Sequence, residues 1–332
     1  MKKNILYAVL LLLVVFVVPQ VLSDFGTNLT TEIFIMAMFA MSLGLIMGYA
    51  GLDSLGHAAF FGIGAYSVAI IGQVVTNTYL IIIIAVAIAG LLAFITGAVF
   101  IRTSQFYFLM ITLAFSQLIF TLFWQMKDVT GGADGMSVSA IMNLGFGDIF
   151  DPQTMYYVMG IIFVAVFILL RLFVESPAGK ITKGVMQNEG RMRALGYDVR
   201  VYKLLAYTLS GALAGFAGSL YSFYNVFVSP ELSGWLFSGQ VMIMVIVGGV
   251  GTLLGPAIGA AVFIFLQNFI STYTERWPLI LGAILIFLVL LGKGGIIQWL
   301  KLGIDMSLKS KRKNNKVSST NTNQAEKEEV VS

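Results

Sequence analysis

The chain's one histidine, His57, follows Asp53 by a single helical turn in the run Gly51-Leu-Asp-Ser-Leu-Gly-His57. An imidazole near a carboxylate suits acid–base work or a pH-dependent gate. Nothing around it completes a reactive site. There is no cysteine, so thiolate nucleophiles, disulfides and Cys-ligated metals are excluded, and a single histidine makes no His-rich metal centre. No Gly-x-x-x-x-Gly-Lys-Ser/Thr phosphate loop occurs, so the chain is not an ATPase in its own right. Gly51 and Gly56 bracket Asp53 and Ser54, which marks a break between helices. There a structural bond from His57 to a backbone carbonyl is favoured over a gate, with Asp53 its nearest acidic partner. These residues predict a protein that is not an enzyme and has no metal or cofactor.

Three other groups of polar residues stand out. Thr112, Ser116 and Gln117 lie within an apolar run, and 112 and 116 share a helix face. They are candidates to line a pathway, against the alternative that each hydroxyl bonds its own preceding turn. Gly131, Gly132 and Asp134 form a glycine-rich turn in a polar loop over 125–153. The densest internal basic cluster is 174–203, with Lys180, Lys183, Gln187, Glu189 and Arg191. Ile181, Val185, Met192 and Leu195 recur there at helical spacing. Gly196 suits the position after a helix ending at Ala194-Leu195, and Asp198 suits the N-cap of the next one. Two short amphipathic helices of this kind fit either a partner's groove or the lipid headgroups.

The elements that must position these residues are membrane spans. Of 332 residues, 58% are hydrophobic and only 11% charged, against roughly 25% charged in soluble domains; mean hydropathy is +0.90. This excludes a soluble enzyme, a disordered chain and a nucleic-acid binder, and makes the lipid bilayer the solvent. Ten apolar stretches qualify as spans at roughly 20 residues each: 5–22, 30–48, 58–75, 79–101, 106–124, 155–173, 204–224, 239–250, 253–270 and 278–291. The first also reads as a signal peptide cleaved near Ser23, and 248–259 as a broken or re-entrant helix.

With both termini cytoplasmic, every Lys and Arg of the 20 falls inside except Lys127 and Arg276, a strong positive-inside pattern. Residues 1–308 form the transmembrane domain, and 309–332 a polar cytoplasmic tail predicted to be disordered. Gly44-Leu-Ile-Met-Gly48-Tyr-Ala-Gly51 and Gly211-Ala-Leu-Ala-Gly215-Phe-Ala-Gly218 repeat one pattern on oppositely running spans. The expected fold is therefore all-α and polytopic, with spans 2–5 and 7–10 as an inverted repeat. Scarce charge within the spans argues against an ion-coupled carrier.

Several motifs together resemble the M-type permease subunits of branched-chain amino acid ABC importers. They are Gly51-Leu-Asp-Ser-Leu-Gly-His-Ala-Ala-Phe-Phe-Gly-Ile-Gly-Ala-Tyr66, Tyr107-Phe, Thr112-Leu-Ala-Phe115, Thr130-Gly-Gly-Ala-Asp-Gly135, Asn188-Glu189, Ala194-Leu-Gly-Tyr-Asp198, Lys203-Leu-Leu-Ala-Tyr207 and Gly248-Gly-Val-Gly-Thr-Leu-Leu-Gly-Pro256. The chain departs from that family at Asp53, usually Gln, at Gly184-Val-Met186, usually Ala-Ile-Arg, and at Gly190-Arg191. The resemblance implies a type II importer fold, a homologous second permease, two cytoplasmic ATPases and an extracytoplasmic substrate-binding protein. It implies that the 174–203 helices dock the ATPases, that the outer loop touches the binding protein, and that the cargo is a branched-chain amino acid, with urea or a short amide as the alternative.

Overall fold

The computed structural model describes residues 19, 22–103, 105–143 and 151–291. The predicted first span, apart from Pro19 and Leu22, and the tail from 309 onward lie outside the described residues. The described residues are mostly helical: α1 (Asp24–Leu45), α2 (His57–Ile71), α3 (Thr78–Phe100), α4 (Gln105–Gln125), α5 (Pro152–Glu175), α6 (Pro177–Gln187), α7 (Glu189–Ala194), α8 (Val199–Asn225), α9 (Trp235–Gly248), α10 (Gly255–Ser271) and α11 (Trp277–Leu291), with a single helical turn at Lys127–Thr130. A two-residue antiparallel ribbon, β1 (Met136–Ser137) with β2 (Phe227–Val228), is the one sheet among the described residues.

Five of these helices, α1 with its π-helical end, α3, α4, α5 and α8, are long and apolar enough to cross a membrane. α2, α9, α10 and α11 are apolar but shorter. The nine helices fall on the second to tenth predicted spans. The predicted eighth span begins four residues earlier than expected, at Trp235, because Gly234 starts the helix directly after the 3-10 turn Pro230–Ser233. Within the 248–259 stretch the chain turns over residues 249–254, between the end of α9 and the start of α10, and Pro256 sits in α10's first turn where its missing N–H costs nothing.

Side-chain size decides how the helices meet. In lipid, apolar surface gives no preference for helix over solvent, so close packing and hydrogen bonds must hold the bundle. α3 buries Ala85, Ala89, Ala93 and Gly97 at every fourth position, while Ile83, Leu91, Phe94, Ile95 and Val99 are exposed. The small stripe meets a matching stripe on α8. A Cβ at Gly211 would lie 2.4 Å from the Ala93 Cβ, and one at Gly215 would lie 2.2 Å from that of Ala89. On its other side α8 presses on α2, where a Cβ at Gly218 would stand 2.0 Å from the Phe61 carbonyl. α1 is buried on nearly every side, against α5, α8, α9 and α10. α1 and α8 therefore form the centre, and α3, α4 and α5 the rim.

Candidate functional site

The glycine-rich break is assembled from four helices. α1 ends in a π turn, Ile46–Ala50, closed by Gly51 at φ +68°. The left-handed φ there is open to glycine and costly for other residues. The break's free amides are then taken up by side chains. Leu55 N donates to Thr112 Oγ1 at 3.2 Å, Gly56 N to Ser54 Oγ at 3.2 Å, and Ala58 N to Ser238 Oγ at 2.8 Å. Gly56 lies so near α4 that a Cβ would sit 2.5 Å from the Thr112 carbonyl oxygen.

His57 is fully buried at the first residue of α2. Its Nε2 lies 2.9 Å from Ser42 Oγ on α1 and 3.4 Å from Ser210 Oγ on α8. Ser42 Oγ donates to the Phe39 carbonyl at 2.7 Å, and Ser210 Oγ donates to the Ser42 carbonyl. Both hydroxyl protons are thus committed, so Nε2 is the donor and Nδ1 the bare acceptor. Nδ1 has no partner among the described residues; a buried unsatisfied group of this kind costs about 1–3 kcal/mol. Phe39 stacks on the imidazole at 5.7 Å and Phe60 meets it edge-on. The expected partners are corrected by this geometry: His57 reaches serine hydroxyls of two other helices rather than a carbonyl of the break. Asp53 accepts from Gln105 Nε2 at 3.4 Å. Sequence reasoning missed Ser42 and Ser210 because they stand 15 and 153 residues from His57, beyond any local spacing rule.

The 174–203 segment forms two helices separated at Asn188. Ser176 caps α6 by accepting from Gly179 N, and Asn188 caps α7 by accepting from Arg191 N at 2.9 Å. Gly196 follows α7 at φ +87°, and Asp198 caps α8 by accepting from Arg200 N at 3.0 Å. Val185 is buried, Ile181 and Met192 are half-buried, and Leu195 is 65% exposed. Lys180, Lys183, Gln187, Arg191 and Ala194 face outward. Glu189 is held by Lys203 and, at 3.4 Å, by Arg193, which ties α7 to α8.

α6 also rests against the break. A Cβ on Gly51 would meet Met186 Cγ at 2.9 Å, and Lys183 Nζ lies 5.9 Å from the Tyr49 ring centroid, within cation–π range. The break and the basic segment, far apart in sequence, therefore form one structural unit.

Thr112 and Ser116 are buried inside the chain. Thr112 Oγ1 donates to the Leu109 carbonyl and accepts from Leu55 N, while Ser116 Oγ donates to the Ser233 carbonyl at 2.7 Å. Gln117 is exposed on the opposite side of α4. At the far end of the bundle, Gly131, Gly132 and Gly135 all take positive φ. They fold the 3-10 turn Gly132–Asp134 under Thr130, whose Oγ1 donates to the Phe123 and Met126 carbonyls. Asp134 is exposed.

A bundle of this kind is a multi-pass integral membrane protein. Residues 26–291 match the family described as branched-chain amino acid transport system / permease component, and the chain belongs to that family. Its relatives include the high-affinity branched-chain amino acid transport system permease protein LivM of Escherichia coli, 26% identical over 89% of this chain and 75% of that protein. A probable LivM of Methanocaldococcus jannaschii is 24% identical over 73% of this chain and 80% of that protein. The ribose import permease RbsC of Escherichia coli is 22% identical over 80% and 84%. No solved structure gives a significant match.

Proposed function

We propose that this chain is the permease subunit of an ATP-binding-cassette importer and forms part of the route for branched-chain amino acids across the cell membrane. The observation that carries this reading is the family match over residues 26–291, joined by relatives named for that transport. Chemistry agrees with it. An apolar cargo needs few fixed charges along its route, and the spans hold almost none.

In this reading ATP is hydrolysed on two partner subunits, and a second homologous permease and an external binding protein complete the assembly. Both termini and α6–α7 face the cytoplasm, as the distribution of Lys and Arg favours. α6 and α7 then dock the ATPases through Lys180, Lys183, Gln187, Arg191, Ala194 and Leu195, while Glu189 and Gly196 set the shape of α7. The contact of α6 with Gly51 and Tyr49 supports the break as the element that a docking motion would move. The turn at Gly131, Gly132 and Asp134 faces the binding protein.

Two halves related by inversion, α1–α4 and α8–α11, are supported by reciprocal packing. α1 packs on α10 as α8 packs on α3, and α2 on α3 as α9 on α10. The matching glycines take part in equivalent contacts: Gly44 meets Pro256 of α10, and Gly211 meets Ala93 of α3.

The test is uptake into vesicles that hold this chain with its second permease and ATPases. Labelled leucine should enter only with internal ATP and external binding protein, and excess isoleucine or valine should compete. Competition by urea but not by isoleucine would replace the cargo. Uptake driven by an ion gradient without ATP would defeat the reading.

A further inference from the structure

We infer that a basic cavity at the α6–α7 end of the bundle is a binding site for the phosphate headgroup of an anionic phospholipid. The cavity, about 390 Å³, is walled by Arg102, Gln105, Glu189, Arg193, Arg200 and Lys203, among others. Arg102 follows the last turn of α3, Gln105 begins α4, and Arg200 and Lys203 stand in the first turns of α8. All four lie at or near the ends of helices long and apolar enough to cross a membrane.

The charges do not balance locally. Glu189 is shared by Lys203 and Arg193. Arg102 and Arg200 have no carboxylate partner among the described residues. The next acid, Asp53, is engaged by the Gln105 amide. Arg200 is also poorly placed for its own helix, since a cation in the first turn opposes the helix dipole. An anion in the cavity removes that conflict. Two guanidinium forks match phosphate oxygens in plane and spacing, and basic pockets between spans on the cytoplasmic side take lipid headgroups.

A second feature points to lipid rather than to soluble phosphate. Val201 and Leu205, one turn apart on α8 and beside Arg200, are exposed, as are Val99 and Phe106 on either side of Arg102. These apolar strips continue from the basic cavity along the spans, as acyl chains do below a headgroup. The leaflet rests on the orientation proposed above, but the binding measurement does not depend on transport.

The experiment compares the full chain with the double variant Arg102→Gln/Arg200→Gln, neither residue being in an ion pair. Protein in detergent is given phosphatidylglycerol, phosphatidylcholine or inorganic phosphate. Native mass spectrometry counts retained lipid, and thermal unfolding reports protection. Phosphatidylglycerol should be retained and protective, phosphatidylcholine should not, and the variant should bind phosphatidylglycerol about thirtyfold more weakly, as loss of two basic contacts at an anionic surface implies. The variant Arg102→Lys/Arg200→Lys should recover most of the binding, which separates charge loss from misfolding. Equal retention of the two lipids, or unchanged binding in the Gln variant, overturns the site. Protection by millimolar phosphate equal to that by phosphatidylglycerol overturns the lipid as its source.

Discussion

Gly64 on α2 shows how finely the centre of the bundle is set at the scale of one residue. A Cβ there would lie 2.0 Å from the Gly215 carbonyl oxygen on α8, and backbone cannot move aside as a flexible side chain can. Gly64→Ala is therefore expected to destabilise the protein by about 1–3 kcal/mol, seen as a lower melting temperature in detergent. No change in melting temperature would mean that α2 and α8 are not locked at this contact. His57 gives a prediction of a different kind. Its Nε2–H is the group that reaches Ser42 and Ser210. His57→Gln, whose amide can donate from a similar position, should keep most of the stability. His57→Ala loses the donor and leaves a cavity, and should cost several-fold more. Equal melting temperatures for the two variants would remove the hydrogen bond as the reason for the residue.

At the scale of elements, α3, α5, α6, α7 and α8 start on side-chain caps, while α2 and α9 start inside the bundle behind the buried glycines Gly56 and Gly234. α5 begins at Asp151, whose Oδ2 accepts from Thr154 N at 3.0 Å and from Thr154 Oγ1 at 2.9 Å. These bonds hold the Asp151 carboxyl below the ordinary carboxylate range. The capping contribution is thus present above the unfolded-state pKa and is lost as pH falls through the lower folded value. Amide exchange in the first turn of α5, corrected for intrinsic rate, should accelerate as pH falls through that window, and Asp151→Ala should abolish the dependence. α7 carries the functional prediction at this scale. Its anchor on α8 is Glu189, with Lys203 only 13% exposed. Glu189→Gln with Gly196→Val should loosen α7 and reduce both co-purification of the ATPases and ATP-dependent uptake. Full assembly and full uptake in that variant would count against α6–α7 as the docking element.

Across the whole molecule, α4 poses a problem that one chain cannot solve. Its buried side is spent on the protein's own contacts, through Thr112 and Ser116. Gln117 faces outward in the middle of the helix, where lipid offers an amide no partner. A second permease or a water-filled route on that face would satisfy it. Gln117→Leu should then lower uptake while leaving the melting temperature of the isolated chain nearly unchanged. If the face meets lipid, the same change should leave uptake intact.

Lipid as solvent, the helical class and the rough span limits follow from the sequence because twenty apolar residues in a row have one stable form in a bilayer. The cap at Asp198 and the turn at Gly196 were equally legible, since those motifs depend on neighbours within a few residues; the cap at Asn188 emerged with the structure. Contacts between distant segments were not. Nothing local joins His57 to Ser42 and Ser210, Gly51 to Met186, or Arg102 to Arg200. Nor does sequence period say which side of α4 is buried, because on a span both faces are apolar and the hydroxyls of Thr112 and Ser116 look alike whether they line a route or bind a neighbour. Those questions are decided by which helices touch, and small-residue packing sets that only once the whole bundle has formed.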